Sequence, residues 1–115
     1  MKVAGLFKNA QRVVDVPAGG VVFREGDAGE EMYGVVSGEI QLQSAGRVIA
    51  TLGPDDVFGE MAIVDGSPRM ATAVAASPAQ LAAIDRHRFL FLVQETPLFA
   101  LSVMSAMADR FRAQV

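Results

Sequence analysis

The chain has 115 residues, 51% of them hydrophobic, with a net charge of −3, no cysteine and a single histidine. A chain of this length forms one domain and buries roughly two-thirds of the surface its unfolded form exposes, so a single core is expected over 1–115. The composition excludes disulfide staples, thiolate metal sites and multi-histidine metal centres, and without a basic excess nothing points to direct DNA contact.

From about Gln11 to Ile84 the sequence reads as short strands separated by turn residues. Only the short Val3–Phe7 stretch precedes the first of them. Arg12-Val13-Val14-Asp15-Val16 ends at Pro17, and Ala18-Gly19-Gly20 turns the chain into Val21-Val22-Phe23. Glu25-Gly26-Asp27 forms the next turn, followed by Met32 to Val36 and a turn at Ser37-Gly38. Glu39-Ile40-Gln41-Leu42-Gln43 alternates polar with apolar residues, as a strand with one wet face does. Ala45-Gly46 leads into Val48–Leu52, which closes at Gly53-Pro54-Asp55-Asp56. Many short strands with frequent turns predict a mainly β domain, a sandwich or barrel.

Residues 86–113 read as helices. Asp85 can cap a helix beginning near Arg86, because its carboxylate accepts first-turn N–H groups. Phe89, Leu90, Leu92 and Val93 give this helix an apolar face. Pro97 suits the first position of a final helix, in which Leu98, Leu101, Met104, Ala108 and Phe111 recur at spacings of three and four. That stripe is wide enough for the barrel on one side and another chain or a ligand on the other. Arg86, His87 and Arg88 read as an exposed face. No apolar run is long enough to cross a bilayer and the start lacks a signal-peptide core, so a cytoplasmic setting is expected.

The segment Phe58–Ala75, FGEMAIVDGSPRMATAVA, carries the chemistry. Gly59-Glu60-Met61-Ala62-Ile63 predicts a single helical turn whose glycine admits a ligand and whose free N–H groups face an anion. Arg69 supplies a planar fork for two phosphate oxygens. Glu60 would repel a bare phosphate, so the ligand must also offer a hydroxyl donor, as a ribose does. Ala62, Ala71 and Thr72 are small enough for the backbone to close round a compact ring. A structural Glu60–Arg69 ion pair is the competing reading, and it leaves the flanking residues unexplained.

This stretch resembles the phosphate-binding cassette of the cyclic nucleotide-binding domain family, roughly F-G-E-hydrophobic-A, a spacer, then P-R-x-A-T. Phe58, Gly59, Glu60, Met61, Ala62, Pro68, Arg69, Ala71 and Thr72 match it. Val16 to Gly19, Phe23 to Asp27, Tyr33 and Val36 to Glu39 extend the resemblance upstream. It implies an antiparallel β jelly-roll (double-stranded β-helix) over 11–84 with a helical lid over 86–113. It implies a non-enzymatic receptor that takes cAMP or cGMP as ligand, needs no further cofactor and signals to an effector protein or domain. Glu60 would accept from the ribose 2′-hydroxyl beside Gly59. Arg69 would hold the phosphate, with backbone N–H groups near Ala62 and Met70. Phe58, Met61 and Val48 would line the sugar and base, and Arg110, with Arg112 as alternative, would cover the base. Met70 stands where cGMP-selective relatives carry threonine, which favours cAMP. The last helix could also serve as a homodimer seam. A degenerate module without ligand, and a hydrolase using Glu60 and His87, are the alternatives. Whether the chain is a stand-alone receptor or an excised domain stays open, Met1 favouring the former.

Overall fold

The computed structural model describes residues 3–114. Met1, Lys2 and Val115, which bear on the expectations about the chain's ends, lie outside the described residues. Two antiparallel sheets face one another. The first has the order β1 (Val13–Val16), β8 (Ala79–Asp85), β3 (Glu31–Ser37), β6 (Val57–Phe58); the second runs β2 (Val21–Phe23), β7 (Thr72–Ala75), β4 (Ile40–Ser44), β5 (Arg47–Leu52). Neighbours distant in sequence, such as β3 beside β8 and β4 beside β7, give the jelly-roll its crossovers. Alternation fixes the register: Gln41 stands between Thr51 and Val74, so Ile40 and Leu42 turn inward. Between the sheets pack Val16, Val35, Ile40, Leu42, Phe58 and Leu81, with Ala73, Ala75 and Ala79 filling the narrow spaces. Small side chains here keep the sheets close without leaving voids.

The outer face of the first sheet is buried as well. Met32, Ala82 and Ile84 lie in one cluster with Phe7, Ile63, Phe99 and Val103. Burial on both faces explains the unbroken apolar run Leu81-Ala82-Ala83-Ile84. Phe7 enters this cluster from an N-terminal segment of turns, with Leu6 N–H donating to Val3 O at 3.2 Å and Lys8 N–H to Gly5 O at 3.1 Å. Residue 34 must be glycine for this packing, because a β-carbon there would overlap the Phe7 ring.

Three helices complete the structure: α1 (Met61–Val64), α2 (Arg86–Glu95) and α3 (Pro97–Gln114). Asp85 caps α2 by accepting from Arg88 N–H at 2.8 Å, and α3 begins at Pro97. The helix faces differ from expectation. In α3 the inward residues are Phe99, Ser102 and Val103, whereas Leu98, Leu101, Met104 and Phe111 point outward. Two apolar rows share this helix, and spacing alone does not say which meets the barrel. In α2, Phe89 and Leu92 pack partly against the core while Leu90 and Val93 are exposed. Arg86 and His87 are exposed, but Arg86 also donates to Ile63 O at 2.8 Å, and Arg88 lies 4.7 Å over the Phe91 ring. Among the described residues no single helix is long and apolar enough to cross a membrane.

Candidate functional site

The site is built where β6 runs into α1. Gly59 follows β6 with φ +78°, and a β-carbon there would stand 2.8 Å from Arg69 Nη1. Both the left-handed backbone and the close approach require glycine. Glu60 stands at the head of α1 without a side-chain cap, and the short turn closes with Val64 N–H donating to Glu60 O at 2.9 Å. By helix geometry the first-turn amides precede any intrahelical acceptor.

After the Asp65–Pro68 loop the chain reaches Arg69, which is held at its backbone and at its side chain. Arg69 N–H donates to Asp27 O and Gly26 N–H donates to Arg69 O, both at 2.8 Å. The partner turn is closed by Arg24 N–H donating to Asp27 Oδ2 at 3.1 Å. Arg69 as a residue is 7% exposed; its guanidinium lies 4.1 Å from the Phe23 ring centroid, with Nη1 donating to Gly59 O at 3.2 Å. Gly29 covers it so closely that a β-carbon there would overlap Cζ and Nε. Arg69 Nε is buried without a hydrogen-bond partner among the described residues. Burial lowers the Arg69 pKa, with Tyr33, Glu31 and Asp27 opposing the shift. An arginine so shifted still carries its charge at neutral pH.

Glu60 is 3% exposed, and its partner is Arg110 rather than Arg69. Arg110 Nη1 donates to Glu60 Oε1 and Nη2 donates to the Val57 carbonyl. Burial pushes the Glu60 carboxyl above its ordinary value, and the Arg110 charge pulls against that shift.

These groups converge on a cavity of about 840 Å³, a size typical of small-molecule sites. Of the residues picked out from sequence, Gly59, Glu60, Met61, Ala62, Arg69, Met70, Ala71, Val48 and Arg110 line it. Phe58 does not. It is fully buried below, its ring 5.4 Å from Tyr33 and 5.9 Å from Phe23, and supports the site from the core. Thr72 is also off the lining, and its Oγ1 accepts from Glu25 N–H at 3.0 Å. Arg112 turns instead to Asp109, at 2.6 Å. Arg110, expected over the base, is seated on Glu60 and Val57 because both acceptors lie within reach of α3.

Sequence reasoning missed Phe23 and Gly29 as the seat of the arginine, and Arg47, Ile49, Met107 and Phe111 in the lining. The Phe23–Asp27 match marked the right segment, but nothing in it placed the ring beneath the cation. A second cavity, of about 780 Å³, lies between residues 5–12 and α2 and is lined in part by His87. Neither of the buried unpartnered polar side chains found among the described residues, Arg69 and Ser102, lines it. His87 and Glu60 stand on different cavities, so they form no catalytic pair.

The sequence pattern described as "Cyclic nucleotide-binding domain" matches residues 13–96. The chain is 37% identical over 101 residues to the Cyclic AMP receptor protein of Thermus thermophilus, covering 84% of this chain and 47% of that protein. The crystal structure of Thermus thermophilus Catabolite Activator Protein superposes with a TM-score of 0.76 at 36% identity, covering 88% of this chain and 50% of that one. The regulatory domain of Toxoplasma gondii PKA, co-crystallised with cAMP, gives a TM-score of 0.64 at 36% identity over 68% of this chain and 31% of its own. The chain thus spans about half the length, or less, of these three proteins. With the jelly-roll, the cassette and the match over 13–96 in place, the chain belongs to the cyclic nucleotide-binding domain family.

Proposed function

We propose that this domain is a cytoplasmic, non-catalytic receptor for a cyclic nucleotide monophosphate, cAMP in preference to cGMP, which it holds in the Glu60–Arg69 cavity and reports through α3. The observation that carries this reading is Arg69. An arginine 7% exposed, with an unpartnered Nε and no carboxylate at ion-pair distance among the described residues, needs an anion to complete it. A cyclic phosphate supplies that anion, and its ribose 2′-hydroxyl supplies the donor that the ionised Glu60 can accept. The names and ligands of the similar proteins support the same class. Phe58 and Thr72 leave the ligand-contact set; Gly59, Glu60, Met61, Ala62, Arg69, Met70, Ala71, Val48 and Arg110 remain in it.

Signalling follows from where α3 sits. A ligand touching both the cassette and α3 favours the arrangement that closes them by its differential affinity for it. The outward row Leu98, Leu101 and Met104 supports a further role for the same helix against a second copy or an effector. The single-domain organisation over 1–115 and the absence of direct nucleic-acid contact belong to this proposal.

Titration calorimetry of the purified protein with cAMP and cGMP tests it. Saturable 1:1 binding with cAMP the tighter ligand is expected. Absence of binding to either would overturn the reading in favour of a structural or dimerising module of the same fold.

A further inference from the structure

We infer that Arg47 is an entry residue for the cavity, drawing an anionic ligand to the mouth from solution without holding it once bound. The inference rests on the proposed nucleotide reading and adds to it how the ligand arrives. Three of the chain's ten lysines and arginines, but one of its thirteen acidic residues, line this cavity. The cavity is therefore positive in a chain whose net charge is −3. The chain as a whole repels a distant anion, and a local positive field at the mouth reverses that repulsion where entry occurs.

The three arginines are not equivalent. Arg69 is buried against the Phe23 ring, and Arg110 is bonded to Glu60. Arg47 is exposed and makes no ion pair among the described residues. It opens β5 directly after the tight turn at Ala45-Gly46, where both residues have positive φ. A two-residue turn of this kind fixes how the flanking strands meet, and so keeps Arg47 at the rim. Opposite it in the ladder stands Ser44, whose hydroxyl donates to Glu25 at 3.2 Å. That carboxylate is thus turned to Ser44 and leaves the Arg47 charge unneutralised. Val48 and Ile49, 52% and 42% exposed, continue the same rim with apolar surface. A cyclic monophosphate brings one negative charge, and the buried Arg69 answers it. Arg47 therefore has no ligand charge left to pair with and acts at a distance, where its sign matters and its shape does not.

The test is stopped-flow mixing of the full chain with a fluorescent cAMP analogue, checked by competition with unlabelled cAMP. Salt is raised from about 10 mM to about 1 M, over which the screening length falls from about 30 Å to about 3 Å. At low salt Arg47→Gln should associate about two- to fivefold more slowly than the parent, and Arg47→Glu about five- to twentyfold more slowly. Arg47→Lys should match the parent within about twofold, because a charge acting at a distance needs no guanidinium fork. At high salt these differences should close, and the parent and variants should release the ligand at rates within about twofold of one another throughout. Arg88→Gln makes the same change in net charge at the other cavity and should leave association near the parent value. Association by the parent should itself slow as salt rises, a readout that needs no variant. Parent-like association by Arg47→Gln and Arg47→Glu would overturn the inference, as would faster release in place of slower association. So would a loss in Arg47→Lys, an equal loss in Arg88→Gln, or association by the parent that is indifferent to salt. Failure of the parent to bind cAMP at any salt would instead overturn the nucleotide reading itself.

Discussion

The Arg69 guanidinium lies 4.1 Å from the centroid of the Phe23 ring, so one face of the cation rests on an aromatic surface while its Nε has no partner among the described residues. An aromatic floor is worth about 0.5–2 kcal/mol to a cation and holds it without neutralising it. Arg69→Ala should therefore fold, since it removes a buried unpaired donor along with the ring contact. It should lose about 1.5–3 kcal/mol of nucleotide affinity, the range for a charged hydrogen bond. Arg69→Lys should also bind worse, because an ammonium cannot reproduce the fork. Parent-like binding by either variant would remove Arg69 from the phosphate contact.

Gly29 gives a sharper test of the same geometry, because it touches the grip without donating to the ligand. Its backbone is not left-handed, so alanine is conformationally acceptable there, but the new methyl would overlap the guanidinium. The guanidinium is the far end of a flexible side chain and can swing aside. Gly29→Ala should lose less than about 1 kcal/mol of stability yet weaken cAMP binding by about tenfold or more, equivalent to about 1.4 kcal/mol. Thermal melts and titrations on one sample separate the two effects. Equal affinity with the methyl in place would mean that the position of Arg69 above Phe23 does not set the grip.

Base selectivity is expected to respond at Met70, which is 61% exposed at the rim of the cavity. Met70→Thr places a hydroxyl there and should improve cGMP binding relative to cAMP by about 0.5–1.5 kcal/mol, one neutral hydrogen bond. Competition between the two nucleotides reads this ratio directly. A uniform change for both would show that residue 70 does not face the base.

Acidification should move stability and affinity in opposite directions through Glu60. Its folded pKa is raised above the ordinary 4.5, chiefly by burial. A group raised in this way contributes stability that is fully present below the unfolded value and is lost as pH rises through the folded one. Asp65, lowered by hydrogen bonds from Ser67, acts with the opposite sign, so the comparison must be made against Glu60→Gln. Relative to that variant the parent should gain melting temperature as pH falls toward 4.5, while its cAMP affinity declines because the 2′-hydroxyl needs an ionised acceptor. Parallel curves for parent and variant would mean that Glu60 does not titrate in this window.

The residues of the cassette were legible because their chemistry is local. A glycine, a carboxylate and an arginine fork within one segment restrict the ligand whatever surrounds them, and the Asp85 cap and Pro97 start depend only on neighbours in sequence. Contacts made across the fold were less legible. The two-residue strand β6 is too short to show alternation. Phe23 and Gly29 reach Arg69 only because the Gly26–Asp27 turn pairs with its backbone. Arg110 was singled out, but its direction was not readable, since Glu60 and a purine both attract an arginine and only the packing of α3 decides between them. The same ambiguity left open which side of their helix Leu101 and Met104 would take. Both rows have helical spacing, and the one buried is the one that finds Met32 and Ile84.

The placement of Phe7 sets the order in which the domain can be completed. Its ring shares a cluster with Phe99 and Val103 and fits a slot that exists only where Gly34 is bare. On a ribosome these helix residues emerge well after Phe7, so the Phe7 segment must wait for α3 before it can be seated. Contacts of such long sequence separation form slowly. Until then the outer surface of the first sheet has an open seam at Met32 and Ile84, where a nascent chain is most exposed to mispairing and to holdase chaperones.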